Sequence, residues 1–245
     1  MKKRKIIFIG LNKTGTVSIH QTFLQNGFKS IHGRDLCWAI EKFWNSGEFD
    51  EVVATINKHD VVSDWCTRHI SRQALKRLYH EFPNALFVLN TRSLSDWVRS
   101  RLIHYLLSDQ SSHRGGTGSR IDEKMSHFSH FKEICMFTAL GCVDQRELFY
   151  RDVCDVFEGS DNLIVLDIAD SLFYNYISEE IGKDIVYDGR RHNVTRRNLK
   201  PETKRSIEQA LQTIATSYEG EDVHTKLTLD EDLNKRLLTF KNNIK

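Results

Sequence analysis

Hydrophobic residues are gathered into short, dense runs along this chain. Four runs are rich in branched and aromatic side chains: KIIFIG at 5–10, HDVVSD at 59–64, ALFVLNT at 85–91 and NLIVLDI at 162–168. A fifth, FKSIHG at 28–33, is weaker. The strong runs are apolar on consecutive positions rather than alternating, which is the pattern of parallel strands covered on both faces. Between them the apolar positions recur at helical spacing. Thr16–Asn26 places Ile19, Phe23 and Leu24 on one face and meets a stop at Gly27. Ser71–Phe82 does so with Leu75, Leu78 and Phe82, and Leu94–Leu107 with Trp97, Val98, Leu102, Tyr105 and Leu106. This alternation predicts an α/β fold, a doubly wound and mainly parallel sheet joined by right-handed crossovers.

The middle of the chain breaks the rhythm. SDQSSHRGGTGSR at 108–120 is polar and glycine-rich and reads as a mobile loop. Residues 121–157 then read as mainly helical, interrupted near Gly141. Beyond 168, helices are predicted near 171–181, 201–218 and 229–242, with the basic stretch YDGRRHNVTRRNLK, 187–200, between the first two. No repeat, low-complexity tract or linker divides the 245 residues, so 1–245 reads as one domain with 108–157 inserted in it.

Composition narrows the setting. At 40% apolar the chain can bury a sizeable core, and a formal net charge of +2 gives no reason to expect nucleic acid as a partner. Five cysteines, an odd count without a CxxC pair, predict free thiols in a reducing compartment, the cytoplasm. No apolar stretch approaches the roughly 20 residues of a membrane helix. Lys2–Lys5 followed by Ile6–Leu11 faintly resembles a leader, but the apolar part is short and runs into Asn12-Lys13, so a buried first strand is expected.

Chemistry concentrates in FIGLNKTGTVS, 8–18. A loop between the first strand and the first helix lies at the carboxyl edge of such a sheet, where ligands bind. Its amides and the start of the helix form an anion site. Gly10 and Gly15 permit close backbone approach, Thr14, Thr16 and Ser18 bring hydroxyls, and Lys13 brings charge. The loop of nucleoside triphosphatases requires Gly-Lys-Ser/Thr, whereas Lys13 here precedes Gly15 by two. The competing reading is a plain turn with a helix cap. A second group stands in FVLNTRSLSDWVRSR, 87–101: Arg92 just after a strand and Ser100 eight residues on, two helical turns away. Taken alone these are an ordinary surface arginine and a helical serine; with the first loop they make a second anion contact.

GLNKTGTVS resembles the 5′-phosphosulfate loop, Pro-Lys-Ser/Thr-Gly-Thr-Thr, of the sulfotransferases that use 3′-phosphoadenosine 5′-phosphosulfate (PAPS), and NTRSLSDWVRS resembles their 3′-phosphate motif. The bacterial-type members with Gly-Leu-x-Lys-Thr-Gly-Thr are most similar. The resemblance covers roughly 5–32 and 60–108. It implies a PAPS-binding fold, PAP as product, no metal, and a hydroxyl or amine acceptor on a small molecule, glycan, lipid or peptide. Lys13 would contact the bridging oxygen, Thr14, Gly15, Thr16, Val17 and Ser18 would surround the 5′-phosphate, and Arg92 and Ser100 would hold the 3′-phosphate. Asn12 stands where the family has proline, Val17 replaces a threonine, and Ser18 replaces an adenine-stacking tryptophan. The Arg-Lys-Gly-x-x-Gly motif of cytosolic members is missing, and GRRHNVTRRN, 189–198, with Arg190 and Arg191, either substitutes for it over the 3′-phosphate or is a solvated basic loop.

Transfer to a hydroxyl also needs a base. In cytosolic members a histidine follows the strand corresponding to VVSDWCTR, where this chain has Asp64. A carboxylate beside a partly dry pocket can serve; a cap of the next helix is the competing role. His20, His32 and His104 are alternative bases with near-neutral titration. His127 and His130 have metal-like spacing without further ligands, and Cys66 has no identifiable histidine partner. Two rival functions remain at this point: a kinase using ATP, and a module that binds PAP without turnover.

Overall fold

A computed structural model describes residues 4–33, 36, 49–65, 70–108, 131–189, 201–217, 227–228 and 230–242. Five strands form one sheet: β1 (Ile6–Phe8), β2 (Ser30–Ile31), β3 (Val61–Val62), β4 (Leu86–Thr91) and β5 (Leu163–Asp167). Eight helices are described: α1 (Thr16–Gln25), α2 (Asp50–Asn57), α3 (Arg72–Glu81), α4 (Leu94–Ser108), α5 (Phe131–Val156), α6 (Phe173–Ile181), α7 (Pro201–Ser217) and α8 (Glu231–Asn242). Every pairing is parallel and the order is β2-β3-β1-β4-β5, the doubly wound arrangement that the sequence pattern predicts. The chain winds one way from β1 to β2 and β3, crosses to β4, and continues to β5. The switch point therefore lies between β1 and β4, the crevice where such sheets bind ligands.

The described residues fall into two compact units. The first, from segments 1–92, 148–195 and 231–245, contains the whole sheet. On one face Ile6, Phe8, Val61, Val88 and Leu166 pack with Ile19 and Phe23 of α1 and Phe173 and Ile177 of α6. On the other, Phe87 meets Phe157 at 4.8 Å between ring centroids, and Phe157 meets Tyr79 of α3 at 5.2 Å. The amino ends of the strands are tied by two cations. Arg4 donates to Asn84 O, Asn162 Oδ1 and Glu180 Oε2, the last at 3.0 Å. Lys5 Nζ donates to the carbonyls of Ile56, Asn57 and His59 at 2.7–3.3 Å, closing the carboxyl end of α2. The second unit, from segments 93–147 and 196–230, holds α4, α7 and most of α5. There Arg99 forks onto Glu208 at 3.0 and 3.2 Å and reaches Asp96 at 3.1 Å, while the Arg146 guanidinium lies 5.2 Å from the centre of the buried Trp97 ring.

Three details differ from the pattern-based expectations. Helix α5 runs through Gly141 without a break, since the intrahelical bonds on either side outweigh the roughly 1 kcal/mol cost of one interior glycine. Leu24 is 43% exposed; Thr22 takes the buried place beside Ile19 and Phe23. Helix α2 was not anticipated, although Val52 and Ile56 are buried at i and i+4 after an acidic first turn, Asp50-Glu51. Among the described residues no helix is long and apolar enough to cross a membrane.

Candidate active site

One side chain on β4 bonds to both ends of the loop after β1. Ile9 N–H still donates to a strand carbonyl, Val88 O, at 2.9 Å. The next amide, Gly10 N–H, donates instead to Asn90 Oδ1 at 2.9 Å. The Nδ2 of Asn90 donates to Thr14 O at 3.0 Å and to Thr14 Oγ1 at 2.6 Å, and the Thr14 hydroxyl donates in turn to Leu11 O. Asn90 and Thr14 are fully buried. One amide on β4 thus pins both ends of the turn. Gly10 has to be glycine, because a Cβ there would stand 2.2 Å from Asn90 O. Lys13 sits at φ 70°, the one non-glycine residue of positive φ among the described residues. That conformation costs of order 1 kcal/mol or more and persists only where its surroundings impose it, a property that clusters at ligand clamps.

Helix α1 starts directly out of this turn. Its N-cap is Gly15, itself left-handed at φ 77°, and no side chain caps the end. Its first turn carries no acidic residue. No acidic residue in the first turn of α1 offsets its positive end, which opens onto the lysine-bearing loop.

The ends of β2 and β3 lie beside the start of α1. Trp65 Nε1–H donates to Phe8 O at 2.7 Å, and Ser63 Oγ donates to Ile31 O at 2.9 Å, closing the edge from below. His32 Nε2 lies 3.3 Å from Asp64 Oδ2 and 3.3 Å from Thr16 Oγ1. His20, one turn further along α1, has its ring 5.2 Å from that of His32 and its Nδ1 2.9 Å from Ser30 Oγ. Burial pushes both imidazoles below their ordinary range. For His20 the neighbouring His32 adds to that push; for His32 the Asp64 carboxylate opposes it.

A family profile described as the sulfotransferase domain matches residues 5–159. The chain belongs to this family. A comparison with curated proteins gives no match. The matched span opens on β1, includes the lysine loop, Asp64, Arg92 and Ser100, and closes just after α5. Sulfuryl transfer is the chemistry of the family.

Within this sulfotransferase fold, the residues singled out in the sequence are placed as follows. Asn12, Lys13, Val17 and Ser18 are partly exposed around the loop, and Thr16 is buried at the first position of α1. The Thr14 side chain is turned inward, so what it can offer a ligand is backbone. Arg92 follows β4 directly and is partly exposed, at the edge where the loop stands. Ser100 is partly exposed on α4 in the second unit, and His104, one turn on, is exposed. Asp64 is brought to Thr16 through His32, whereas His20 is set against Ser30. Arg190, Arg191, His127, His130 and Cys66 lie outside the described residues. Asn90 was not anticipated. The signal was there: it is the only strongly polar side chain within LFVLNT apart from the closing threonine, in a strand whose six residues are all buried.

Proposed function

We propose that this sulfotransferase takes its sulfuryl group from PAPS and passes it to a hydroxyl or amine of an acceptor, releasing PAP. The observation that carries the reading is the 10–16 loop: a left-handed lysine, a left-handed glycine and a helix start with no side-chain cap and no acidic residue in its own first turn. That donor set is complementary to a phosphosulfate and to no cation. In this reading Lys13 bears on the bridging oxygen, where charge develops as the sulfuryl group leaves. Thr14, Gly15, Thr16, Val17 and Ser18 surround the 5′-phosphate, with Asn12 at the rim. Arg92 and Ser100 take the 3′-phosphate, supported by their motif spacing; Arg190 and Arg191, outside the described residues, are assigned to the same phosphate from sequence alone. The base comes from the group formed by Asp64, His20 and His32. We read 1–245 as one sulfotransferase-like domain, supported by a family match that runs unbroken through segments of both units. Segment 108–157 supplies acceptor contacts in this scheme.

Calorimetry tests it. PAP should bind without magnesium and more tightly than 5′-AMP. Absence of PAP binding together with magnesium-dependent ATP binding would overturn the donor assignment in favour of a kinase. PAP binding with no sulfuryl transfer to any hydroxyl acceptor, water included, would leave a nucleotide-binding module.

A further inference from the structure

We infer that His32 is the catalytic base of the transfer and that Asp64 is the residue that positions it. The inference rests on the sulfotransferase reading and selects one residue from the four that the sequence offers, Asp64, His20, His32 and His104. Asp64 is the candidate that chain order favours, yet its Oδ2 faces His32 Nε2 at 3.3 Å. A carboxylate can only accept there, so the proton of the neutral imidazole belongs on Nε2. Thr16 Oγ1, at 3.3 Å from the same nitrogen, is a second oxygen on that side of the ring. The lone pair is then left on Nδ1, the nitrogen turned away from both. His20 is a weaker candidate by position: it sits one turn further along α1, with its Nδ1 against the Ser30 hydroxyl, whereas His32 touches the first residue of the helix.

The position suits the task. Thr16 is the first residue of α1, directly after Gly15, so the His32 ring is one hydrogen bond from the phosphate loop. It is 19% exposed, and Asp64 15%, enough to admit an acceptor at one edge while keeping the pair partly dry. Among the described residues, the titratable groups set against His32 are His20 from α1 and Asp64 from the end of β3. Burial favours the neutral ring at rest, and Asp64 stabilises the cation once the ring takes a proton. In the step itself, an acceptor oxygen lone pair forms the new S–O bond. The S–O bond to the bridging oxygen breaks, and its electron pair stays on the 5′-phosphate of PAP. The acceptor proton passes to His32 Nδ1 and later to water, giving a sulfate ester, PAP and one proton.

The alternative is that His32 only braces Thr16. Three measurements on the full chain separate the two: PAP affinity by calorimetry, PAP release from PAPS with water as the acceptor, and nitrogen NMR of the His32 ring. His32→Gln keeps a side-chain donor for Asp64 and removes the base. We expect PAP release to fall at least ~100-fold while the PAP Kd moves less than about threefold. Asp64→Asn should lower the rate by less than His32→Gln and shift the acidic limb of the pH–rate profile downward, because the charge that holds the imidazolium is gone. In the unmutated chain the proton should reside on Nε2. Release within about threefold of normal in His32→Gln, PAP affinity lost in parallel with rate, or a proton on Nδ1 would each overturn the assignment. If the unmutated chain bound no PAP, the donor reading itself would fall and this inference with it; normal PAP binding with intact turnover in His32→Gln would remove this inference alone.

Discussion

Replacing Asn90 by alanine removes three hydrogen bonds at once: Gly10 N–H to Oδ1, and Nδ2 to Thr14 O and Oγ1. At about 1 kcal/mol net each, the loss is about 3 kcal/mol. Gly10 N–H and Thr14 O also lie against a fully buried side chain, and a buried group left unsatisfied costs about 1–3 kcal/mol, so a dry cavity would raise the total toward about 5 kcal/mol. The protein should therefore unfold at distinctly lower urea, and PAP affinity should fall at least tenfold, about 1.4 kcal/mol, because the loop no longer holds Lys13 and Gly15 in their left-handed conformations. Asn90→Asp sharpens the test. It keeps the acceptor for Gly10 N–H and replaces the donor by a carboxylate facing Thr14 O. Burial raises the folded-state pKa of that carboxyl above its unfolded value, so the folded state binds the proton more tightly. Stability relative to the parent should recover as pH falls and the carboxyl regains an O–H donor. Urea unfolding of parent and variants, at pH 7 and pH 5, reads both effects. An Asn90→Ala protein within about 0.5 kcal/mol of the parent, or PAP affinity unchanged in it, would refute the view that this amide holds the loop.

Lys13→Ala should lose turnover far more than PAP affinity, because its charge acts on the leaving oxygen; rapid-quench rates beside calorimetry decide it, and near-normal rates would remove Lys13 from the chemistry. Arg92→Ala should weaken PAP by about 1.5–3 kcal/mol while sparing 5′-AMP, with Ser100→Ala doing the same more mildly; equal weakening of both nucleotides would leave Arg92 a purely structural role. His20 and His32 have folded-state pKa values below the unfolded one, so the unfolded chain binds more protons and stability declines as pH falls through about 6.5. Urea midpoints between pH 7.5 and 5.5 should show that decline, and a His20→Gln/His32→Gln protein should show less of it. Burial pushes the Cys135 and Cys154 thiols up to about 11, so neither should react with iodoacetamide at pH 8 in the native protein; rapid labelling of either would contradict its buried position.

The sheet was legible because a two-sided apolar strand cannot be concealed: all five runs became strands, and the glycines and lysine of the first loop came out where a strand-to-helix turn needs them. What pattern reading could not supply was lateral order. Asp64 and His32 each follow a short apolar run, but only the placing of β3 between β2 and β1 sets them together. For the same reason the role of Asn90 was hidden: an amide in a buried strand signals a partner, and its partners lie on another strand's loop. Thr14 misled by type, since a hydroxyl in an anion loop invites the ligand role and here serves the turn itself. The break expected at Gly141 failed because one glycine is a weak signal inside a helix of 26 residues.

Arg4 and Lys5 carry a different implication. They knit the amino ends of the strands to α2, α6 and the turns beside β4 and β5, a strand's length of three to six residues in β1, β4 and β5 from the carboxyl edge where Lys13 and Arg92 stand. On the proposed reading the two ends of the same strands do different work: one holds fixed anchors, the other takes up and releases nucleotide. Substitutions at the anchored end should alter how long the protein survives heat or denaturant without altering which nucleotide it prefers. The carboxyl edge is correspondingly open to drift in acceptor choice at little cost to folding, so long as Asn90 and Gly10 stay as they are.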